Sequence, residues 1–194
     1  MPQPAGRAAT YEDLSRIPEN ATGEIVAGEL VVTPRPSRRH VFATSSLDKE
    51  VGPPYQLGRG GPGGWVILVE PELGLGEHIL VPDLAGWRRE RLIESEEHNW
   101  ISVTPDWVCE VLSPGTVRLD RIQKTAIYRN HGVAHLWLLD PLHRTLEVYA
   151  LDASSRSWVV RGLYGGNDRV RAEPFQEIEI ELAHLWWSSP AGAG

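Results

Sequence analysis

Leu80-Val81-Pro82-Asp83-Leu84-Ala85-Gly86-Trp87 and Trp107-Val108-Cys109-Glu110-Val111-Leu112 each hold a single carboxylate inside an otherwise apolar run. Unbroken apolar runs of this length predict strands covered on both faces of a sheet, so each is expected as one strand. The proline of the first run lies near its start, where a missing N–H is tolerable. A carboxylate in such a strand has two usual fates: it lies on a wet face, or it points at a cation that compensates it. The intervening segment holds a polar excursion over residues 88–102, a length that permits the two strands to be neighbours. Spacing by itself leaves both fates open.

Working outward, Trp65–Val69 and Ala134–Leu139 read as further buried strands, the latter stopped by Asp140-Pro141. Leu146–Ala150 and Trp158–Val160 alternate like an antiparallel pair, and Ile178–Leu182 reads as a last strand before a short apolar turn at Leu185–Trp187. Toward the N-terminus, residues 52–64 hold six Gly and three Pro and predict a loop. A helix is expected over Ser37–Val51, and a hairpin over Glu24–Val32 turning at Ala27-Gly28. A short helix capped by Thr10 ends before Pro18. Residues 10–187 are expected to form a single α/β domain, with disordered tails at 1–9 and 188–194.

The chain has 194 residues, enough for one core without covalent staples. Its one cysteine, Cys109, excludes an intrachain disulfide and a cysteine zinc site, and reads as a small buried hydrophobe. No run is long and apolar enough for a membrane span or a signal peptide, so a cytoplasmic location is expected. The net charge of −7 argues against general nucleic-acid binding, although short basic strips at Arg35–Arg39 and at Arg88, Arg89 and Arg91 suit local docking.

A helix over Arg118–His131, closed by Gly132, sharpens the chemistry. Asp120, Lys124 and Tyr128 recur every four residues and share one face. Following directly on the Glu110 strand, that lysine is placed to reach the strand end; an ordinary surface Asp–Lys pair is the alternative. Hard divalent cations take oxygen ligands, and Mg²⁺ commonly takes one or two carboxylates plus water and phosphate.

In combination, Val81-Pro82-Asp83-Leu84, Pro105-Asp106, Glu110-Val111-Leu112-Ser113-Pro114, Asp120, Lys124, Tyr128, Gly132-Val133, Leu136-Trp137 and Asp140-Pro141 resemble the PD-(D/E)XK nuclease superfamily. More closely they resemble the bacterial "Uma" family of putative restriction endonucleases, over roughly residues 10–187. The resemblance implies a mixed central β-sheet flanked by helices, with an extra antiparallel C-terminal portion. It implies Asp83, Glu110 and the Val111 main-chain carbonyl as ligands of Mg²⁺, with Mn²⁺ as substitute, and DNA phosphodiester hydrolysis by a homodimer. The superfamily lysine would fall at position 112, which is Leu112 here; Lys124 is expected in its place. Glu29, with Glu24 as the other choice, matches an acid that completes some such sites. His40, Arg39 and Tyr128 are candidate substrate contacts. A non-catalytic nucleic-acid- or protein-binding module on the same scaffold is the rival, favoured by the displaced lysine and the net charge.

Overall fold

The computed structural model describes residues 7–92 and 98–187. Helix α1 (Tyr11–Leu14) starts where expected: the Thr10 N–H donates to Asp13 Oδ2 at 2.8 Å, tying off the first turn. Arg7 and Ala9, at the end of the stretch expected as a tail, are held. Ala9 N–H donates to Gly28 O at 2.8 Å, and Arg7 pairs with Asp13. Strands β1 (Ala21–Val26) and β2 (Glu29–Pro34) form the expected hairpin. Its turn residues have positive φ, 51° at Ala27 and 76° at Gly28, the conformation a tight hairpin needs. Helix α2 (Arg38–Val51) is capped by Ser37 and continues into a wider turn at Gly52–Gln56, within the stretch expected as a loop.

Strand β3 (Trp65–Val69) is followed by an unexpected hairpin, β4 (Leu73–Leu75) and β5 (His78–Leu80). Here the structure corrects the sequence reading. Leu80–Trp87 is not one strand: β5 ends at Leu80, and β6 (Leu84–Arg88) begins after Val81-Pro82-Asp83. Proline cannot donate to a ladder, and the Val81 N–H is diverted to the Glu24 carboxylate at 2.7 Å. The chain therefore changes sheets at this tripeptide. β5 belongs to a four-stranded antiparallel sheet of order β2-β1-β5-β4, and β6 to the main sheet.

The main sheet adds β7 (Trp107–Val111), β8 (His135–Asp140), β9 (Thr145–Asp152) and β10 (Ser157–Gly165), in the order β10-β9-β8-β7-β6-β3. It is mixed: β7 and β8 are parallel and the other neighbours antiparallel. The parallel pair is joined by the expected helical crossover, split into a wide π-type turn at Leu119–Lys124 and helix α3 (Thr125–Asn130). A small pair, β11 (Arg169–Val170) and β12 (Ile180–Glu181), and a 3₁₀ turn at Leu182–Leu185 complete the fold. The excursion over 88–102 is not simply exposed. Trp100 lies on Tyr11, and Ile101 bridges to Leu73; residues 93–97 lie outside the described residues.

Alternation along β7 shows how the layers meet. Trp107, Cys109 and Val111 join a core with α2 and the C-terminal segment, where Phe175 packs between Trp65, Trp107 and Trp137. Val108 and Leu112 join a second core with α3 and the small sheet. Both faces are dry, which is why β7 reads as unbroken apolar sequence. Glu110 shares the α3 face with Val108, since side chains two apart point the same way.

Candidate active site

The register of β6 and β7 pairs Leu84 with Cys109, so one step further out on each strand lie Asp83 and Glu110. They border a cleft of about 430 Å³ with Val111, His40, Asp120 and Lys124. Asp83 is fixed twice: its Oδ2 accepts from the Val111 N–H at 2.7 Å, and its Oδ1 lies 3.1 Å from His40 Nε2. His40 comes from the first turn of α2. Burial opposes charge on its ring, but the Asp83 hydrogen bond and charge prevail and raise its pKa.

Glu110 is almost fully buried. Its Oε1 accepts from the Tyr128 hydroxyl at 2.5 Å and lies 2.8 Å from Lys124 Nζ, while Oε2 carries no hydrogen bond among the described residues. The same ammonium lies 2.9 Å from Glu24 Oε1, 3.8 Å from Asp120 and 3.5 Å from the Val81 carbonyl. Burial foremost pushes the Glu110 carboxyl well up, against the pull of Lys124. Burial also disfavours charge on Lys124, yet Glu110 and Glu24 outweigh it and hold the ammonium protonated well above its usual range. Burial raises Asp120 likewise.

The shared helix face of Asp120, Lys124 and Tyr128 thus turns inward onto Glu110. The wide turn at Leu119–Lys124 delivers the lysine there; such turns recur at functional sites. The structure brings together Asp83, Glu110, Val111, Lys124 and His40. It does not bring in Glu29, which is exposed beside the hairpin turn, paired with Val26. Glu24 takes that place, buried on β1 and bonded to both Val81 and Lys124. Tyr128 lies behind Glu110, fully buried with its hydroxyl on the Glu110 carboxylate, and does not line the cleft as a substrate contact would. Arg39 is exposed beside His40, while Arg35 lines the cleft. The burial of Asp120 was not anticipated. For Glu24 a signal existed: like Glu110, it is an acid beside an apolar strand run, Ile25-Val26.

A mixed sheet with paired acids at the ends of two neighbouring strands, and a helix-borne lysine between them, places the chain among proteins with a nuclease fold. It belongs to the Uma2 family, described as "Putative restriction endonuclease", whose model matches residues 8–184. In fold it resembles a crystal structure described as "a putative nuclease belonging to DUF820" from Anabaena variabilis ATCC 29413. That likeness has a TM-score of 0.69 and 21% identity, covering 92% of this chain and 97% of the other. No curated protein matches the chain. Among the described residues, no helix is long and apolar enough to cross a membrane.

Proposed function

We propose that this protein is a Mg²⁺-dependent endonuclease that hydrolyses DNA phosphodiester bonds, with Mn²⁺ as a working substitute. One observation carries the reading: five carboxylates, Glu24, Glu70, Asp83, Glu110 and Asp120, line one cleft against the Lys124 ammonium, the His40 imidazole and the Arg35 guanidinium. A divalent cation suits that excess, and the donor set fits it. Among the described residues no three His, Cys, Asp or Glu side chains form a metal-holding group. Asp83, Glu110 and the Val111 carbonyl would therefore hold Mg²⁺ together with water and phosphate oxygens, its ordinary habit. When bound, such a cation polarises a phosphoryl oxygen and lowers the pKa of its water.

The protein's own groups do the rest. Tyr128 and Lys124 orient Glu110, leaving its Oε2 directed to ligand. His40 and the Val111 N–H fix both oxygens of Asp83. Lys124 holds a protonated amine against Glu110 and Glu24 at the cleft, where its charge offsets charge developing on the phosphate. Glu24 anchors that lysine and the Val81-Pro82-Asp83 segment with one oxygen. Arg35 in the cleft wall, with the exposed Arg38 and Arg39 next to it, receives the neighbouring phosphates. Cutting both strands of a duplex calls for two such clefts, which a homodimer supplies.

The rival reading, a non-catalytic module, draws support from Leu112 standing where the superfamily has lysine. The burial of the Lys124 amine against Glu110 supports the enzyme instead. The test is cleavage of plasmid and single-stranded DNA with Mg²⁺ or Mn²⁺, beside calorimetric titration of each metal. Asp83→Ala and Glu110→Ala are each expected to abolish cleavage while circular dichroism stays that of the folded protein. Undiminished cleavage by either variant rejects the assignment.

A further inference from the structure

A second cleft of about 360 Å³ adjoins the first and shares Thr22, Glu70 and Val81 with it. Its character differs. Leu14 and Ile17 give it apolar walls, and Tyr11, Glu72 and Asn99 give it a polar rim. The Tyr11 hydroxyl donates to Glu72 Oε2 at 2.6 Å. The tyrosine is backed by an aromatic column: its ring lies 4.6 Å from Trp100, which stacks on His98 at 4.3 Å and 11°. The column needs Gly74 beneath it, because a Cβ there would come within 2.2 Å of the Trp100 ring.

Glu70, on the partition between the clefts, has φ 49° although it precedes Pro71. A residue before proline is ordinarily held in extended conformations. Its N–H donates to the Asp83 carbonyl at 3.0 Å, so this backbone is pinned to the segment that carries the site.

With the Tyr11 proton already committed to Glu72, the charged groups the cleft offers a ligand are both acceptors, the carboxylates of Glu70 and Glu72, beside the hydroxyls of Ser15 and Thr22 and the Asn99 amide. Carboxylates repel phosphate, whereas apolar walls suit a flat base. Guanine alone among the bases presents two adjacent donors, N1–H and the N2 amino group, to a carboxylate. We propose that this second cleft binds the guanine base of a nucleotide next to the scissile phosphate, with Glu72 reading its Watson–Crick edge. A paired base is locked in the stack, so the guanine must be unpaired or extruded. The inference rests on the nuclease reading for its placement beside a scissile phosphate.

The test is fluorescence anisotropy of labelled dT hexamers carrying one central dG, dI or dA, in EDTA so that nothing is cut. The dG strand should bind about tenfold or more tighter than the dI strand, which lacks the N2 amino group. Glu72→Gln keeps an acceptor for Tyr11 but turns the other atom into a donor. It should abolish the dG preference while leaving all-dT binding and the thermal midpoint unchanged. Glu70→Gln, at an exposed position, should weaken the preference without disturbing the fold. Equal affinity for dG and dI, or a preference that survives both substitutions, overturns the proposal. Metal-dependent cleavage without a dG preference removes this site alone. A dG preference in EDTA without cleavage under any metal removes the nuclease reading and leaves a guanine-binding cleft.

Discussion

Lys124 is the residue on which the cleft turns. Removing one member of a buried charge network strands the others, typically at about 3–5 kcal/mol. Lys124→Met should therefore lose stability on that scale in urea unfolding, and adding Glu24→Gln should restore part of it because one stranded charge is gone. If the double variant is as unstable as the sum of the singles, the two groups are not coupled. The choice between Glu24 and Glu29 is decided by the same kind of measurement. Glu24→Gln should cut cleavage severely, whereas Glu29→Ala should change neither cleavage nor stability by more than about 0.5 kcal/mol, as for ordinary surface substitutions. Asp83, Glu110 and Lys124 were legible in the sequence because charges in apolar runs, or at helical spacing behind them, need partners. Glu24 carries the same signal as Glu110, an acid beside an apolar run, but choosing it over Glu29 also depends on which end of the hairpin faces the cleft. Only the pairing of β1 with β5 fixes it.

At the scale of elements, most strands and helices were readable from apolar runs and from turn chemistry. The error at Leu80–Trp87 has a physical source. Both halves are apolar because both are buried, and burial does not reveal that they are buried in different sheets. The hairpin of β4 and β5 is not legible in the sequence because three-residue strands give no periodicity. The crossover between β7 and β8 is braced by Arg121, whose guanidinium hydrogen-bonds Glu147 on β9 at 2.5 and 3.0 Å. That bond is the main reason the Glu147 carboxyl lies below its ordinary value of 4.5. A depressed carboxylate contributes stability that is present above its unfolded pKa and lost as pH falls through the folded one. Wild type should accordingly lose stability on acidification below about pH 4.5 more steeply than Glu147→Gln. Parallel acid-unfolding curves for the two proteins would show that the brace contributes nothing.

Over the whole molecule, the distribution of charge is what makes the net charge of −7 compatible with the proposed DNA substrate. The acids of the cleft face inward, and Arg35, Arg38 and Arg39 gather where α2 meets its mouth. Each phosphate neutralised contributes a slope of about −0.9 in log affinity against log salt. Replacing all three arginines with alanine should weaken DNA binding and flatten that slope by up to about three units. An unchanged slope would move the docking surface elsewhere.

The change of sheet at Val81-Pro82-Asp83 has a consequence for when the cleft is assembled as the chain folds. Glu110 is presented by the main sheet and Glu24 by the small one, and Lys124 bridges the two at 2.8 and 2.9 Å. Neither half holds a complete set of groups, so the proposed activity requires both sheets to be docked, as in an AND gate. A chain with the small sheet opened would keep the Trp-rich core and most of its native structure, yet it would be silent toward DNA. In a denaturant series, activity should therefore vanish before the tryptophan signal of the main core, and hydrogen exchange should find β1 and β5 opening first.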